Sequence, residues 1–289
     1  MTLTGLHVPL ITPFDGDGAV ALDALASLAR DLLDAGVTGL VALGTTAEPE
    51  SLTEDERRAV LDTVGRVCRE RRAPLTVGAH TAAALRGLAD RTEVTAALTL
   101  VPPFVRPGEA GAVAHLAGLA AASPVPLIVY DIAPRTGQYL GAGSLRRLAA
   151  APGIAGVKYA PGGINADTVA LLAEPPAGFA VLGGDDPFVS PLLALGAHGA
   201  ILATAHLVPD QFVGLVAAWR AGDVAAARAA GHRLAGLSAA LLAEPNPTVI
   251  KAVLHARGRI PSPAVRPPLL PASAAAVAVA TRRLDALGA

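Results

Sequence analysis

The chain has 289 residues, 52 % of them hydrophobic and 16 % charged, so it can bury a large core and is too apolar to stay disordered. A formal charge of −1 and 3 % aromatic residues speak against a nucleic-acid partner, which needs a basic face or stacking platforms. The single cysteine, Cys68, excludes an internal disulfide framework and a cysteine-built zinc site, and it is expected simply to pack in a helix.

Short apolar runs alternate along the chain with longer helical patterns. Strands are expected at 8–11, 39–43, 75–77, 97–101, 127–130, 154–157, 180–182 and 200–202. Helices are expected near 22–35, 53–71, 81–93, 109–122, 142–150, 164–173, 187–195 and 209–220. Thr53 and Glu56 have the spacing of a capping box, and Ser144 ahead of Leu145-Arg146-Arg147-Leu148 reads as a second helix start. The strand runs are continuously apolar rather than alternating, as in strands covered on both faces.

Eight such βα units predict an α/β protein, a parallel (β/α)8 TIM barrel over residues 1–222. Helical patterns at 223–243, 246–257 and 272–287, without strands between them, predict a C-terminal helical extension over 223–289. The rival architecture, an open doubly wound sheet, would carry a Gly-rich phosphate loop after its first strand. Pro9-Leu10-Ile11-Thr12-Pro13-Phe14 supplies none. The longest apolar stretch, 192–208, is interrupted by Gly196, His198, Gly199 and His206, so no membrane span is expected. The first residues lack a basic segment followed by an apolar one, and the expected location is the cytoplasm.

Lysine and arginine together number 23, yet only Lys158 and Lys251 are lysines. A lysine kept where arginine serves everywhere else draws attention to amine chemistry, because an amine can lose its proton and attack a carbonyl. Lys158 closes the apolar run 153–157, where burial works against the charged ammonium form. Lys251 lies in a helical pattern and looks ordinary.

In a barrel, chemistry sits at the carboxyl ends of the strands. Gly44-Thr45-Thr46-Ala47-Glu48 follows the second strand, and Tyr130 to Gly137 follows the fifth. Lys158 ends the sixth, and Gly183-Gly184-Asp185-Asp186 follows the seventh. A phenol such as Tyr130 can donate and accept a proton in turn, as carbinolamine collapse requires. The hydroxyls and backbone N–H groups of Thr45 and Thr46 suit a carboxylate, and Arg135 can grip a second one bidentately. A core tyrosine and a surface ion pair are the alternatives for Tyr130 and Arg135. Asp185 and Asp186 read as caps of the following helix. The seven histidines show no His-x-x-x-His pairing and the carboxylates no cluster, so no metal site is expected.

The segments Gly44 to Glu48, Tyr130, Gly156-Val157-Lys158 and Gly184-Asp185-Asp186, in this order and spacing, resemble the dihydrodipicolinate synthase/N-acetylneuraminate lyase family of class I aldolases. The likeness extends from Thr12-Pro13-Phe14 through Glu244-Pro245-Asn246-Pro247 to Arg266-Pro267-Pro268-Leu269. It implies a pyruvate Schiff base on Lys158 with no separate cofactor, proton transfer by Tyr130, and Thr45 and Thr46 holding the pyruvate carboxylate. Gly184 and Ile201 are implied as lining residues. Arg135-Thr136-Gly137 is similar to the synthase branch, whose arginine binds the carboxylate of aspartate semialdehyde, the aldehyde partner. The resemblance also implies a homotetramer, a dimer of dimers.

Three positions depart from the synthase pattern. Phe104, or its neighbour Val105, stands where synthases carry the second tyrosine of Thr-Pro-Tyr-Tyr-Asn, a residue that reaches the substrate site of a neighbouring subunit. Tyr159 replaces a glutamate, and Ala47 replaces the loop glycine. An aldolase or dehydratase acting on a 2-keto-3-deoxy sugar acid or 4-hydroxy-2-oxoglutarate therefore stays open, as does a catalytically degenerate barrel with a binding or structural role. Pro49, Glu50, Glu54, Arg57, His80 and Pro103 retain few of the polar groups of the family's lysine-feedback site, so L-lysine is not expected to inhibit.

Overall fold

The computed structural model of the chain describes residues 3–288. Its strands are β1 (Gly5–Pro9), β2 (Gly39–Ala42), β3 (Leu75–Gly78), β4 (Val94–Leu100), β5 (Leu127–Asp131), β6 (Ile154–Tyr159), β7 (Ala180–Gly183) and β8 (Gly199–Ile201). Each pairs in parallel with the next and β8 pairs with β1, which closes the barrel. The helices packed outside it are α1 (Leu22–Asp34), α2 (Glu54–Arg71), α3 (Ala82–Arg86), α4 (Gly108–Ala122), α5 (Ala133–Thr136), α6 (Ala142–Ala149), α7 (Ala166–Ala173), α8 (Val189–Ala194) and α9 (Pro209–Ala221). Three more, α10 (Val224–Leu241), α11 (Thr248–Ala256) and α12 (Ala274–Asp285), follow the last barrel helix. The chain is thus a TIM barrel with a helical C-terminal extension. No helix among the described residues is long and apolar enough to cross a membrane.

The period of two along a strand divides the interior into two cores. Ile128, Tyr130, Ala160, Leu182 and Ile201 belong to a small cluster inside the barrel. Val129, Val157, Tyr159 and Val181 belong to the larger cluster between strands and helices. That larger cluster continues into the extension through Leu234, Val249 and Leu284, so both parts of the chain share one apolar core. Cys68 is buried in it as a small apolar filler, and burial pushes its thiol up to about 12.

Helix starts and stops follow local chemistry. Thr53 and Glu56 form the reciprocal capping box at the start of α2, as their spacing predicts. Ser144 does not start a helix: α6 begins after Gly141, and the Ser144 hydroxyl inside it donates to Glu109. The pattern at 81–93 yields only the short α3, because beyond Gly87 the bonds Leu88 N–H to Leu85 and Ala89 N–H to Arg86 close tighter turns. The apolar run at 8–11 is paired only as far as Pro9. Leu10 and Ile11 are buried beyond the strand end instead.

Candidate active site

The carboxyl ends of the strands surround a cavity of about 370 Å³ lined by Thr45, Thr46, Tyr130, Arg135, Lys158 and Gly184, with Asn246 of the extension on its wall. Six of the sequence-predicted site residues therefore share one cavity. Tyr130 and Lys158 are direct register partners on β5 and β6, so strand alternation turns both side chains inward together. The Lys158 Nζ lies 4.2 Å from the centroid of the Tyr130 ring, and no carboxylate of the described residues pairs with it. The amine is buried and uncommitted, as a nucleophile must be.

Gly184 is a glycine because of Lys158. A Cβ at this position would lie 2.8 Å from Lys158 Cγ and 2.9 Å from Cε, inside contact distance. Asp185 and Asp186, expected as helix caps, cap nothing with their side chains. The Asp185 carboxylate accepts the Gly162 N–H at 2.7 Å, while Asp186 accepts both the N–H and the hydroxyl of Thr204, at 2.8 and 2.7 Å. They fasten the loops after β6 and β8 to the end of β7. Burial pushes both carboxyls up; the N–H donors and the nearby Lys158 charge oppose it.

The two threonines occupy a single 3₁₀ turn, Thr45–Ala47, after β2. This turn packs against β3 where Gly78 leaves room: a Cβ there would lie 2.1 Å from the Leu43 carbonyl oxygen. Thr12 donates to the Ala47 carbonyl at 2.8 Å, and Asn246 Nδ2 donates to Thr46 Oγ1 at 2.9 Å. A hydroxyl that accepts from Asn246 keeps its own proton free to donate, which suits an anion in the cavity. Arg135, in the last turn of α5, is exposed at the cavity and forms no ion pair among the described residues.

Ile201 is buried in the barrel interior with Tyr130 and Leu182, away from the cavity wall. Phe104 does not enter the cavity of its own chain; it is 94 % exposed, with Val105 beside it also exposed. Tyr159 faces outward from β6, and its hydroxyl lies 3.1 Å from that of Thr168. The departure from glutamate at this position therefore lies behind the site, not in it. Among the described residues no cluster of histidine, cysteine or carboxylate side chains could hold a metal ion.

Lys251 is not ordinary. Its side chain is fully buried and pairs with Glu48 at 2.8 Å. Asn246 and the Glu48–Lys251 pair are the parts of the site that sequence reasoning missed. Both glutamate and asparagine lie in motifs that carry the family resemblance, but their partners are 203 and 200 residues away along the chain.

The chain matches the Dihydrodipicolinate synthetase family over residues 2–286. It is 37 % identical over 268 residues to the 4-hydroxy-tetrahydrodipicolinate synthase of Moorella thermoacetica, covering 91 % of each chain. To the enzyme of the same name from Neisseria gonorrhoeae it is 34 % identical over 292 residues, covering 99 % of each. The crystal structure of dihydrodipicolinate synthase from Thermotoga maritima superposes with a TM-score of 0.94 at 26 % identity, over 100 % of this chain and 99 % of that one. The chloride-inhibited synthase from Acinetobacter baumannii, complexed with pyruvate, gives 0.92 at 30 % identity over 99 % of each chain. With matching motifs, barrel and relatives over its whole length, the chain belongs to the dihydrodipicolinate synthase family.

Proposed function

We propose that this enzyme is a lyase that condenses pyruvate with aspartate semialdehyde, as a 4-hydroxy-tetrahydrodipicolinate synthase, through a Schiff base on Lys158. The observation that carries the proposal is the pair of register neighbours Tyr130 and Lys158, turned into one cavity with a free amine and a phenol in contact. Neutral Lys158 attacks C2 of pyruvate, and the carbinolamine loses water to give the imine. Tyr130 moves the protons of that collapse. The iminium draws electrons from C3, which loses a proton and attacks the aldehyde carbon of the second substrate. The resulting alkoxide takes up a proton, and the amino group of the condensed aldehyde substrate attacks the imine carbon, closing the ring and expelling Lys158 as the free amine. The iminium formed on Lys158 is the electron sink, so the chemistry calls for no cofactor.

Thr45 and Thr46 are assigned to the pyruvate carboxylate and Arg135 to that of the aldehyde substrate, a charge-assisted pairing. Aspartate semialdehyde is favoured over a sugar acid because the relatives are named as synthases and Arg135, which lines the cavity, has no ion-pair partner among the described residues. The proposal includes a cytoplasmic homotetramer. Exposure of Phe104 and Val105 supports a second copy covering them, an apolar contact in place of a hydroxyl relay.

Borohydride reduction in the presence of pyruvate is expected to add the reduced adduct to Lys158, located by peptide mass. Absence of the adduct would overturn the Schiff-base chemistry and leave a degenerate barrel. A coupled assay with aspartate semialdehyde is expected to turn over. Trapping without turnover, together with activity on a sugar-acid or 4-hydroxy-2-oxoglutarate substrate, would overturn the synthase assignment.

A further inference from the structure

Glu48 ends the threonine turn in the left-handed region, at φ 54°, and Leu43 before the turn has the same φ. Non-glycine residues avoid this region because Cβ crowds the carbonyl oxygen, so a turn bounded by two of them must be held from outside. The Glu48 carboxylate supplies the hold. Its Oε1 accepts from Lys251 Nζ at 2.8 Å and its Oε2 from the Arg266 N–H at 2.9 Å. Both donors belong to the C-terminal extension, on α11 and on the segment ahead of α12.

The ammonium also lies 4.0 Å above the Phe14 ring centroid, and the Arg266 guanidinium 4.4 Å above the same ring. Arg266 then spends its planar fork on Glu56, in the capping box of α2, and on the Ser51 and Gly18 carbonyls. The slot beside Glu48 takes a compact cation with one donor direction, which explains a lysine in a chain that otherwise uses arginine. Burial lowers the affinity of Lys251 for its proton, and Glu48 opposes this most strongly.

A buried ion pair is a poor source of stability, since apolar residues of similar volume often serve as well or better. What such a pair supplies is a defined geometry. We infer that the Lys251–Glu48 pair is a positioning device for the 2-oxo-acid carboxylate subsite: the extension reaches across the barrel mouth and sets the Thr45–Thr46 turn from behind. Neither residue lines the cavity, so they act through the turn and not on substrate. The inference rests on the assignment of Lys158 as the Schiff-base lysine and of the threonines as its carboxylate partners.

The test uses the full chain and reads two quantities: the pyruvate concentration giving half-maximal borohydride trapping on Lys158, and the melting temperature. Lys251→Met strands a buried carboxylate and is expected to lower the melting temperature. It is also expected to raise the half-maximal pyruvate concentration about tenfold, with the trapping rate at saturation little changed. In the double variant Glu48→Met/Lys251→Met no charge is stranded, so the melting temperature recovers while the half-maximal concentration stays raised about tenfold. Recovery of both quantities together would show a pair that serves only the fold and would overturn the inference. Glu48→Gln, which needs no repacking, carries the test where a methionine variant does not fold, with an expected rise of about threefold or more. An unchanged value in Glu48→Gln would count against it equally. If the wild-type protein is not trapped, the Schiff-base assignment itself falls. If the wild type is trapped and the variants titrate like it, only the positioning role falls.

Discussion

Replacing Asp131 by asparagine should stabilise this protein, and the gain should depend on pH. Asp131 ends β5 one residue after Tyr130, so strand alternation turns it away from the cavity toward the helices. It is fully buried, and neither carboxylate oxygen has a hydrogen-bond partner among the described residues. Its register neighbour Tyr159 has its hydroxyl beside Thr168 and does not turn it to Asp131. Burial, reinforced by the charges of Asp185 and Glu109, pushes the Asp131 carboxyl from 3.8 up to about 7.

Between those two values the unfolded chain has released the proton and the folded chain still holds it. The folded state therefore binds more protons, and stability falls as pH rises through this window, becoming level above it. At about 1.36 kcal/mol per pH unit the full loss is on the order of 4 kcal/mol. The carboxamide of Asp131→Asn has the same shape and no charge to desolvate. Equilibrium urea denaturation of wild type and variant at pH 4, 6 and 8 measures the difference. Near pH 4 the two should agree within about 1 kcal/mol, and at pH 8 the variant should be more stable by roughly 2–4 kcal/mol. For a chain of this length that gap corresponds to about 3–7 °C in melting temperature. A gap that stays constant from pH 4 to 8, or a variant less stable than wild type at pH 8, would refute the argument.

Two further outcomes follow from the site. Gly184→Ala places a methyl group against Lys158 Cγ and Cε and should slow pyruvate trapping by about tenfold or more, at a stability cost of about 1–3 kcal/mol. Wild-type trapping by that variant would mean that Lys158 can move aside without loss. L-Lysine titrated into the synthase assay is expected to leave the rate unchanged. Arg57 already donates to the Pro49 carbonyl at 2.9 Å, and His80 Nδ1 accepts the Leu100 N–H at 3.2 Å, so both are committed within their own chain. Clear inhibition by L-lysine would contradict this.

Much of the architecture was legible in the sequence because its causes are local. Continuous apolar runs identify strands buried on both faces, helical spacing identifies what covers them, and the Thr53–Glu56 box needs only three residues of separation. Lys158, Tyr130 and the two threonines could be brought together by a general property of barrels, that strand ends converge on one face. Tertiary structure decided what depends on distance and burial. The second lysine looked ordinary in its helical pattern, since nothing in its helix announces a carboxylate 203 residues upstream. Nothing in the sequence singles out Asp131, since the lack of a donor to it among the described residues is a property of the neighbours that the fold assembles around it. Periodicity and capping act over a few residues, so a sequence displays them directly. A buried charge is defined by what surrounds it, and only the folded chain brings those surroundings together.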